Sequence, residues 1–288
     1  MRTKPLYAIV LLLCSCGGGE ATRNTIQNKG SDTLVNVAQA WAEKYRDVNP
    51  NLAVAVSGGG SGTGISAMIN GTVDIANASR AMKPQEINMA RSNGIDPIQH
   101  IVGYDALAVY LQPMNPLNEI TFTQLSGIYG EGGTIDNWSS LDLEHSGCSN
   151  DEIVRISRQN NSGTYIYFKE AIMGKRDYKL GSRDMHGSKD VVDLVSKTPC
   201  AIGYSGLAYA TSAVKIPCVR QEESGPCVRP SLATTIDRSY SIARPLYMYT
   251  SGQPTGAVKE YLDWIMSDEG QCIIQAKGYA PAHSISCN

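Results

Sequence analysis

Three short segments of the sequence combine glycine with serine or threonine directly after residues that favour a β-strand. They are 30–34, 57–65 and 158–164, and each is followed by apolar residues at helical spacing. The first turn of a helix has unpaired N–H groups and lies at the positive end of the helix dipole. Glycine lets an anion approach the backbone, while serine and threonine hydroxyls add donors. Three such helix starts together predict a binding site for a tetrahedral oxyanion.

The third segment also contains Arg158, in the sequence SRQNNSGT at 157–164. Its planar, permanently charged guanidinium can donate to two oxygens of one anion. The simpler interpretation of this segment alone is an ordinary helix N-cap beside a surface arginine. The recurrence of the same pattern at 30–34 and 57–65 favours the anion site.

The elements that would position these segments alternate between strand and helix. Apolar runs predict strands at 53–56, 98–102, 106–111, 153–156, 201–204 and 245–250. Helices are predicted after residue 34 and at 83–93, 190–196, 256–267 and 270–279. The first and the one at 256–267 have apolar residues at helical spacing, whereas 83–93 is polar with Pro84 near its first turn. This alternation is typical of the α/β class, and the length is sufficient for two α/β lobes.

The first residues have the pattern of an export signal. Arg2 and Lys4 precede an apolar run at 7–13 that is too short to span a bilayer, and Leu13-Cys14-Ser15-Cys16 has the form of a lipobox. We therefore expect 1–15 to be a signal peptide, Cys16 to carry lipid, and 16–23 to be a flexible tether. The alternative is a plain secretory signal cut elsewhere. The protein is expected to be exported and lipid-anchored, in the periplasm or at the outer face of the cell membrane, with no other membrane contact.

The cysteines outside this signal indicate disulfide bonds. Of eight cysteines, six remain besides Cys14 and Cys16, and an even number in an exported chain favours pairing. Several pairings are open from sequence alone. Short loops favour Cys218–Cys227 and Cys272–Cys287, which leaves Cys148–Cys200.

Charge and histidine content argue against two other classes of protein. The formal net charge is −2 and basic residues are scattered, so nucleic acid is not an expected partner. The four histidines are also scattered and no CxxC motif occurs, so neither a metal site nor a cofactor is expected.

Six segments occur in the same order as in the phosphate-binding proteins of ABC transporters, which the whole mature chain resembles. They are GSDTL at 30–34, SGGGSGTGI at 57–65, DIANASR at 74–80, SRQNNSGT at 157–164, AIGYSGLAYA at 201–210 and PLYMYT at 245–250. The resemblance implies a two-lobed type II periplasmic-binding-protein fold with a ligand cleft between the lobes. It places two crossover strands near 106–111 and 244–250. It also implies a monomer whose partners are inorganic phosphate and the permease subunits of an ABC transporter.

The resemblance further implies lobe boundaries and phosphate-contacting residues. Lobe 1 would comprise 24–108 and 248–288, and lobe 2 would comprise 109–247. The residues that match the family's phosphate contacts are Asp32, Thr33, Ser61, Arg80, Arg158, Ser162, Gly163 and Thr164. Ser31, Gly62 and Asn160 are further candidates.

Two positions depart from the best-known branch of that family, which has a hydroxyl residue in place of Asp32 and a carboxylate in place of Arg80. We hypothesise that the roles are exchanged, so that Asp32 accepts the proton of hydrogen phosphate while Arg80 and Arg158 donate. Sulfate has no proton to offer, so a buried carboxylate facing it would be left unpaired. The alternatives are that Asp32 and Arg80 pair with each other, or that Asp32 is only a helix N-cap.

Three other functions are compatible with parts of the sequence. The same fold could bind another oxyanion, such as sulfate or molybdate, although Asp32 argues against this. A phosphatase or other hydrolase would need Ser61 or Ser162 as an activated nucleophile, and no histidine lies near either in sequence. A phosphate sensor or surface protein would share every motif named above. We expect a binding protein and not an enzyme.

Overall fold

The computed structural model describes residues 24–287. The strands are β1 (Asn24–Gly30), β2 (Leu52–Ser57), β3 (Ile75–Ala78), β4 (Pro97–Leu111), β5 (Glu119–Thr121), β6 (Val154–Arg158), β7 (Arg183–Met185), β8 (Ala201–Gly206), β9 (Cys218–Arg220), β10 (Cys227–Val228), β11 (Ala243–Ser251) and β12 (Ala280–Pro281). The α-helices are α1 (Val35–Val48), α2 (Ser61–Ile69), α3 (Pro84–Ser92), α4 (Phe122–Tyr129), α5 (Gly163–Ile172), α6 (Ser188–Lys197), α7 (Leu232–Ile236), α8 (Gly256–Ile265) and α9 (Asp268–Ala276).

One mixed sheet runs through the molecule in the order β2-β1-β3-β11-β4-β8-β6-β7, with β12 also paired to β4. Strands β1, β2, β3 and β11 belong to lobe 1, and β6, β7 and β8 belong to lobe 2. Strand β4 connects the two, because 97–106 pair with β11 while 107–111 pair with β8. The predicted α/β two-lobed fold is therefore confirmed. Its strands at 98–102 and 106–111 are one continuous strand.

Strand β11 is the second connection between the lobes. The residues just before it, Tyr240 and Ile242, are buried in the core of lobe 2. The strand then pairs with β3 and β4 on both sides, which returns the chain to lobe 1. Helices α8 and α9 follow and pack on lobe 1. The chain thus passes between the lobes on two adjacent antiparallel strands.

Each lobe has apolar side chains on both faces of its part of the sheet. In lobe 1, Trp41 of α1 and Tyr261 of α8 pack on one face, and Ile65 of α2 packs on the other. In lobe 2, one face packs Phe168 and the other packs Val191. Burial of this kind, at roughly 25 cal/mol per Å² of apolar surface, stabilises the scaffold that holds the loops between strands and helices.

Three disulfide bonds join Cys148 to Cys200, Cys218 to Cys227 and Cys272 to Cys287. These are the predicted pairs. Glu119 lies near Cys218 and Cys227 in the one cluster of potential metal ligands within residues 24–287, but the disulfide removes both thiols. Across the same residues, no helix combines the length and apolar character needed to cross a membrane. The predicted signal peptide, the lipid-bearing Cys16 and the tether lie outside the described residues.

Candidate functional site

The predicted helix starts meet between the two lobes. Helices α1 and α2 of lobe 1 and α5 of lobe 2 begin at this junction, where Oγ1 of Thr33 lies 3.2 Å from Oγ1 of Thr164. Ser162 is the N-cap of helix α5, because the Oγ of Ser162 accepts a hydrogen bond from the N–H of Thr164 at 3.1 Å. Both threonines are almost fully buried. The junction therefore places hydroxyl groups from both lobes within hydrogen-bonding distance.

A cluster of three buried serines lies beside this pair, at Ser31, Ser61 and Ser79. Oγ of Ser31 donates to Oγ of Ser79 at 2.9 Å, and Oγ of Ser61 accepts from the N–H of Ser79 at 3.0 Å. Gly163 closes the cluster from lobe 2, since a Cβ atom there would lie 2.5 Å from Oγ of Ser79. Ser79 was not among the predicted residues, although it stands directly before Arg80 in the DIANASR segment.

Arg158 links the two lobes through an ion pair with Asp32. Its Nη2 lies 3.1 Å from Oδ2 of Asp32, and the arginine side chain is 1% exposed. Within lobe 2 the guanidinium also donates to the carbonyls of Met185 and His186 and to Oγ of Ser188. Burial lowers the pKa of Arg158, and the negative charge of Asp32 opposes this shift. The arginine is thus rigidly held and paired with a carboxylate of the opposite lobe.

Both simpler interpretations of Asp32 are wrong. Asp32 pairs with Arg158 and not with Arg80. It does not cap α1 either, because the N-cap is Leu34 and no side-chain hydrogen bond caps that helix. Its Oδ1 instead accepts the N–H of Gly59 at 2.9 Å, in the loop before α2. The carboxylate therefore lies between the α1 and α2 loops and the lobe 2 arginine.

Arg80 forms a bidentate ion pair with Glu86, six residues further along the chain. Its Nη1 and Nη2 donate to the two carboxylate oxygens at 2.8 and 2.7 Å. Burial would raise the pKa of Glu86, but hydrogen bonds from Arg80 and from the N–H of Lys83 lower it overall. Within the described residues, the buried Nε of Arg80 has no hydrogen-bond partner. One donor of the predicted contact residue is thus unpaired, while the rest of its guanidinium is engaged.

The remaining candidates, Gly62 and Asn160, lie at the contact between the lobes but differ in their roles. The N–H of Gly62 donates to the carbonyl of Asn161 at 2.9 Å, so it joins the lobes in this closed arrangement. Asn160 is exposed, and its neighbour Asn161 makes the second contact, from Nδ2 to the carbonyl of Gly59 at 3.0 Å. Asn161 was not among the predicted residues, although it directly follows Asn160.

Arg244 and Asp105 form a buried ion pair next to Thr33 and Thr164. Neither residue was among the predicted site residues. They are register partners on β11 and β4, each is 1% exposed, and Nη2 of Arg244 lies 2.9 Å from Oδ2 of Asp105. The same Nη2 lies 2.9 Å from Oγ1 of Thr164 and 3.4 Å from Oγ1 of Thr33. The signal was a charged residue directly before each of two predicted strands, at 105 before 106–111 and at 244 before 245–250, because buried charges require partners.

The donors at this site suit an anion, and among the described residues neither candidate serine has the partner that a hydrolase nucleophile needs. Its arginines each pair with a carboxylate, so the charged groups balance and an anion would be held by local hydrogen bonds. Within residues 24–287, Ser61 bonds to Ser79 and Ser162 bonds to Thr164. Neither serine contacts a histidine that could activate it as a nucleophile.

Comparisons with known proteins agree with this arrangement. A family model described as the PBP superfamily domain matches residues 17–269. The phosphate-binding protein PstS of Pseudomonas aeruginosa is 30% identical over 267 residues, which cover 89% of this chain and 82% of that protein.

Two solved structures share the fold over nearly their whole length. One, from Clostridium perfringens, is assigned to a phosphate ABC transporter substrate-binding protein with bound phosphate. It has a TM-score of 0.78 and 26% identity, covering 90% of this chain and 100% of that chain. An ABC-type phosphate transport receptor from Vibrio cholerae has a TM-score of 0.69 and 25% identity, covering 88% of this chain and 99% of that chain.

The relatives are named as binding proteins and transport receptors, which confirms the expectation of a binding protein and not an enzyme. The family model spans most of the sequence, and the Pseudomonas relative aligns over most of both chains. The chain therefore belongs to the PBP superfamily and, within it, to the family of the phosphate-binding PstS proteins.

Proposed function

We propose that this protein captures inorganic phosphate between its two lobes and delivers it to the permease subunits of an ABC importer. The observation that carries the proposal is the ion pair between Asp32 of lobe 1 and Arg158 of lobe 2, at the meeting point of three helix starts. An anion bound there would receive donors from both lobes and would favour their closure. The names of the relatives support phosphate as the anion.

In this proposal the donors are hydroxyls, backbone N–H groups and arginine side chains. The proposed contact residues are Ser31, Thr33, Ser61, Gly62, Arg80, Arg158, Asn160, Ser162, Gly163 and Thr164. The positive ends of α2 and α5 add a favourable potential for negative charge. Because the arginines are already balanced by carboxylates, affinity would depend on the number and direction of the hydrogen bonds.

Asp32 would supply the one acceptor. Its Oδ2 and Oδ1 each accept one hydrogen bond, from Arg158 and Gly59, and a carboxylate oxygen can accept a second. Both protonation states of phosphate that are abundant near neutral pH carry at least one proton. Sulfate carries none, so its oxygens would face the carboxylate without a hydrogen bond. Asp32 would therefore make the site selective for phosphate over sulfate.

The remaining features of the proposal concern where the protein acts. Cleavage before Cys16 and lipid on its thiol would leave the binding lobes outside the cytoplasm on the 16–23 tether. The lipid would be the only membrane contact, and the protein would act as a monomer. The proposed lobe boundaries are 108/109 and 247/248, and the change of partner strand along β4 after residue 106 supports the first of them.

Calorimetric titration of phosphate-stripped protein with phosphate and with sulfate, at about pH 6 and about pH 8, tests the proposal. Wild-type protein is expected to bind phosphate at both pH values and to respond weakly to sulfate. Asp32→Asn is expected to lose roughly tenfold or more of this preference, because its amide can accept from phosphate or donate to sulfate.

Asp74→Asn is the matched control. Asp74 also lies in a lobe 1 loop, but its carboxylate accepts from the N–H of Gln27, away from the cleft. It should leave both titrations unchanged. If the wild type binds sulfate and phosphate equally well, the proposed ligand is any tetrahedral oxyanion and not phosphate specifically. Binding of neither anion would refute the proposal.

A further inference from the structure

Arg244 contacts the hydroxyls of Thr33 and Thr164 from β11, one of the two strands on which the chain crosses between the lobes. It is held by Asp105 through both Nε, at 3.2 Å, and Nη2, at 2.9 Å. Its guanidinium also lies over the ring of Tyr167, with Cζ 5.3 Å from the centroid. These contacts restrain the plane of the guanidinium, and burial protects the charge from solvent screening.

The contacts of Arg244 determine how the two threonine hydroxyls use their hydrogens. An arginine N–H can only donate, so Oγ1 of Thr164 must accept from Nη2, and Oγ1 of Thr33 lies within reach of the same nitrogen. The hydroxyls lie 3.2 Å apart, and one hydrogen satisfies that contact. The second hydroxyl hydrogen is then free to donate to an acceptor in the cleft.

Two further observations concern the charge of Arg244. Arg158 is near enough for the positive charge of Arg244 to lower its pKa, although burial is the larger cause. Within the part of the chain that the structure describes, the buried Nη1 of Arg244 has no hydrogen-bond partner. A buried donor without an acceptor is unfavourable, and an anion in the cleft would relieve this.

We propose that Arg244 is a positioning residue of the anion site, which orients the Thr33 and Thr164 hydroxyls as donors and holds the two lobes' helix starts together. This inference rests on the proposed binding of phosphate in the cleft. Arg244 acts from β11, so the connection between the lobes is also part of the recognition of the anion. Asp105 is the counter-charge that keeps the guanidinium in this position.

A double-mutant cycle with Arg244→Lys and Thr164→Val tests whether the arginine acts through the threonine. Lysine keeps the charge beside Asp105 but loses the planar fork that reaches several acceptors. We expect Arg244→Lys to weaken phosphate binding by about tenfold, as measured by calorimetry. In the Thr164→Val background the same substitution is expected to change the dissociation constant by only about threefold, because the hydroxyl closer to Nη2 is absent and only that of Thr33 remains to be oriented.

Arg155→Lys is the matched control, because Arg155 also pairs with a carboxylate, that of Asp136. Arg155 lies near the start of β6, whereas the anion site is at the end of that strand, at Arg158. It should leave the affinity for phosphate unchanged. The thermal unfolding midpoint of each ligand-free variant separates a loss of fold from a loss of affinity. If Arg244→Lys does not fold, the doubly neutral variant Arg244→Gln with Asp105→Asn, which leaves no unpaired charge, carries the same comparison.

The outcomes separate this inference from the proposed function. Unchanged affinity in folded Arg244→Lys would overturn the inference while phosphate binding stands. Fully additive effects of Arg244→Lys and Thr164→Val would also overturn it, because the arginine would then act independently of the hydroxyl. If the wild-type protein in the same titration binds no phosphate, the proposed function fails, and this inference fails with it.

Discussion

The backbone of Gly163 in lobe 2 lies directly against the hydroxyl of Ser79 in lobe 1. A Cβ atom on Gly163 would lie 2.5 Å from Oγ of Ser79 and closer still to Oγ of Ser61, so no side chain fits there in the closed arrangement. Contacts this close exist only when the lobes are closed. Gly163 is therefore a point at which closure can be blocked without changing either lobe.

Gly163→Ala should accordingly weaken phosphate binding by about tenfold or more, since overpacking of this kind costs about 1–3 kcal/mol. The ligand-free protein can open to relieve the clash, so its thermal unfolding midpoint should change little. Calorimetry and thermal unfolding measure the two quantities. Gly225→Ala, in the exposed segment between Cys218 and Cys227, is the control. Unchanged affinity in Gly163→Ala would show that the anion binds without this closure.

Asn161 joins the lobes through its side-chain amide and its backbone carbonyl. Asn161→Ala removes the hydrogen bond from Nδ2 to the carbonyl of Gly59. Because one such bond contributes about 0.5–1.5 kcal/mol, the affinity for phosphate should fall a few-fold. Asn160→Ala separates the two neighbours in the same titration, because it leaves the bond to Gly59 intact and removes only the proposed contact with phosphate. Unchanged affinity in Asn161→Ala would contradict its role in joining the lobes, and unchanged affinity in Asn160→Ala would remove Asn160 from the proposed contact residues.

Glu86 should make stability depend on acid pH. Hydrogen bonds from Arg80 and Lys83 hold the pKa of Glu86 below its ordinary value of 4.5, despite the opposing effect of burial. Because the pKa of Glu86 is lower in the folded state, its carboxylate stabilises the fold at pH values above the ordinary pKa. This contribution is lost as the pH falls through the pKa of the folded state. Removing the carboxylate should therefore matter near neutral pH and much less in acid.

Urea unfolding of Glu86→Gln at about pH 7 and about pH 3 measures this dependence. We expect a loss of about 2 kcal/mol near neutral pH, because Arg80 is left buried without its counter-charge, and a smaller difference from wild type in acid. Glu119→Gln is the control. Glu119 forms an ion pair with Arg220 but is exposed, and exposed pairs contribute about 0–1 kcal/mol. A loss in Glu86→Gln that is equal at both pH values would contradict the assignment.

The three disulfides should differ in their contribution to stability according to loop length. Sequence separations are 52 for Cys148–Cys200, 15 for Cys272–Cys287 and 9 for Cys218–Cys227. Because each disulfide restricts the unfolded chain, replacing a pair by serines should lower the free energy of unfolding. The expected losses, in the order given, are about 4, about 3 and about 2.6 kcal/mol. Urea unfolding without reductant tests this order, and a larger loss for Cys218–Cys227 than for Cys148–Cys200 would contradict it.

The sequence alone determined the features that depend on local chemistry. The start of α5 at Ser162–Thr164 follows from a serine whose side chain caps the next turn, and the α/β class follows from alternating strand and helix patterns. Short loops favoured two of the disulfide pairs that the structure contains and left Cys148–Cys200 as the third. The helical spacing of apolar residues after residue 34 extends to Val48, but Val48 is 49% exposed because α1 ends there.

Only the tertiary structure decided which charges pair. Asp32 and Arg158 are 126 residues apart and meet because the lobes close, whereas Arg80, the alternative partner considered for Asp32, instead meets Glu86, just beyond Pro84. Arg244 and Asp105 are 139 residues apart and meet because β11 and β4 are adjacent in register. The strength of an ion pair depends on distance and burial, and a sequence pattern specifies neither for residues this far apart. The helix starts were therefore readable from the sequence, while the partners of the charged groups depended on the packing of the two lobes.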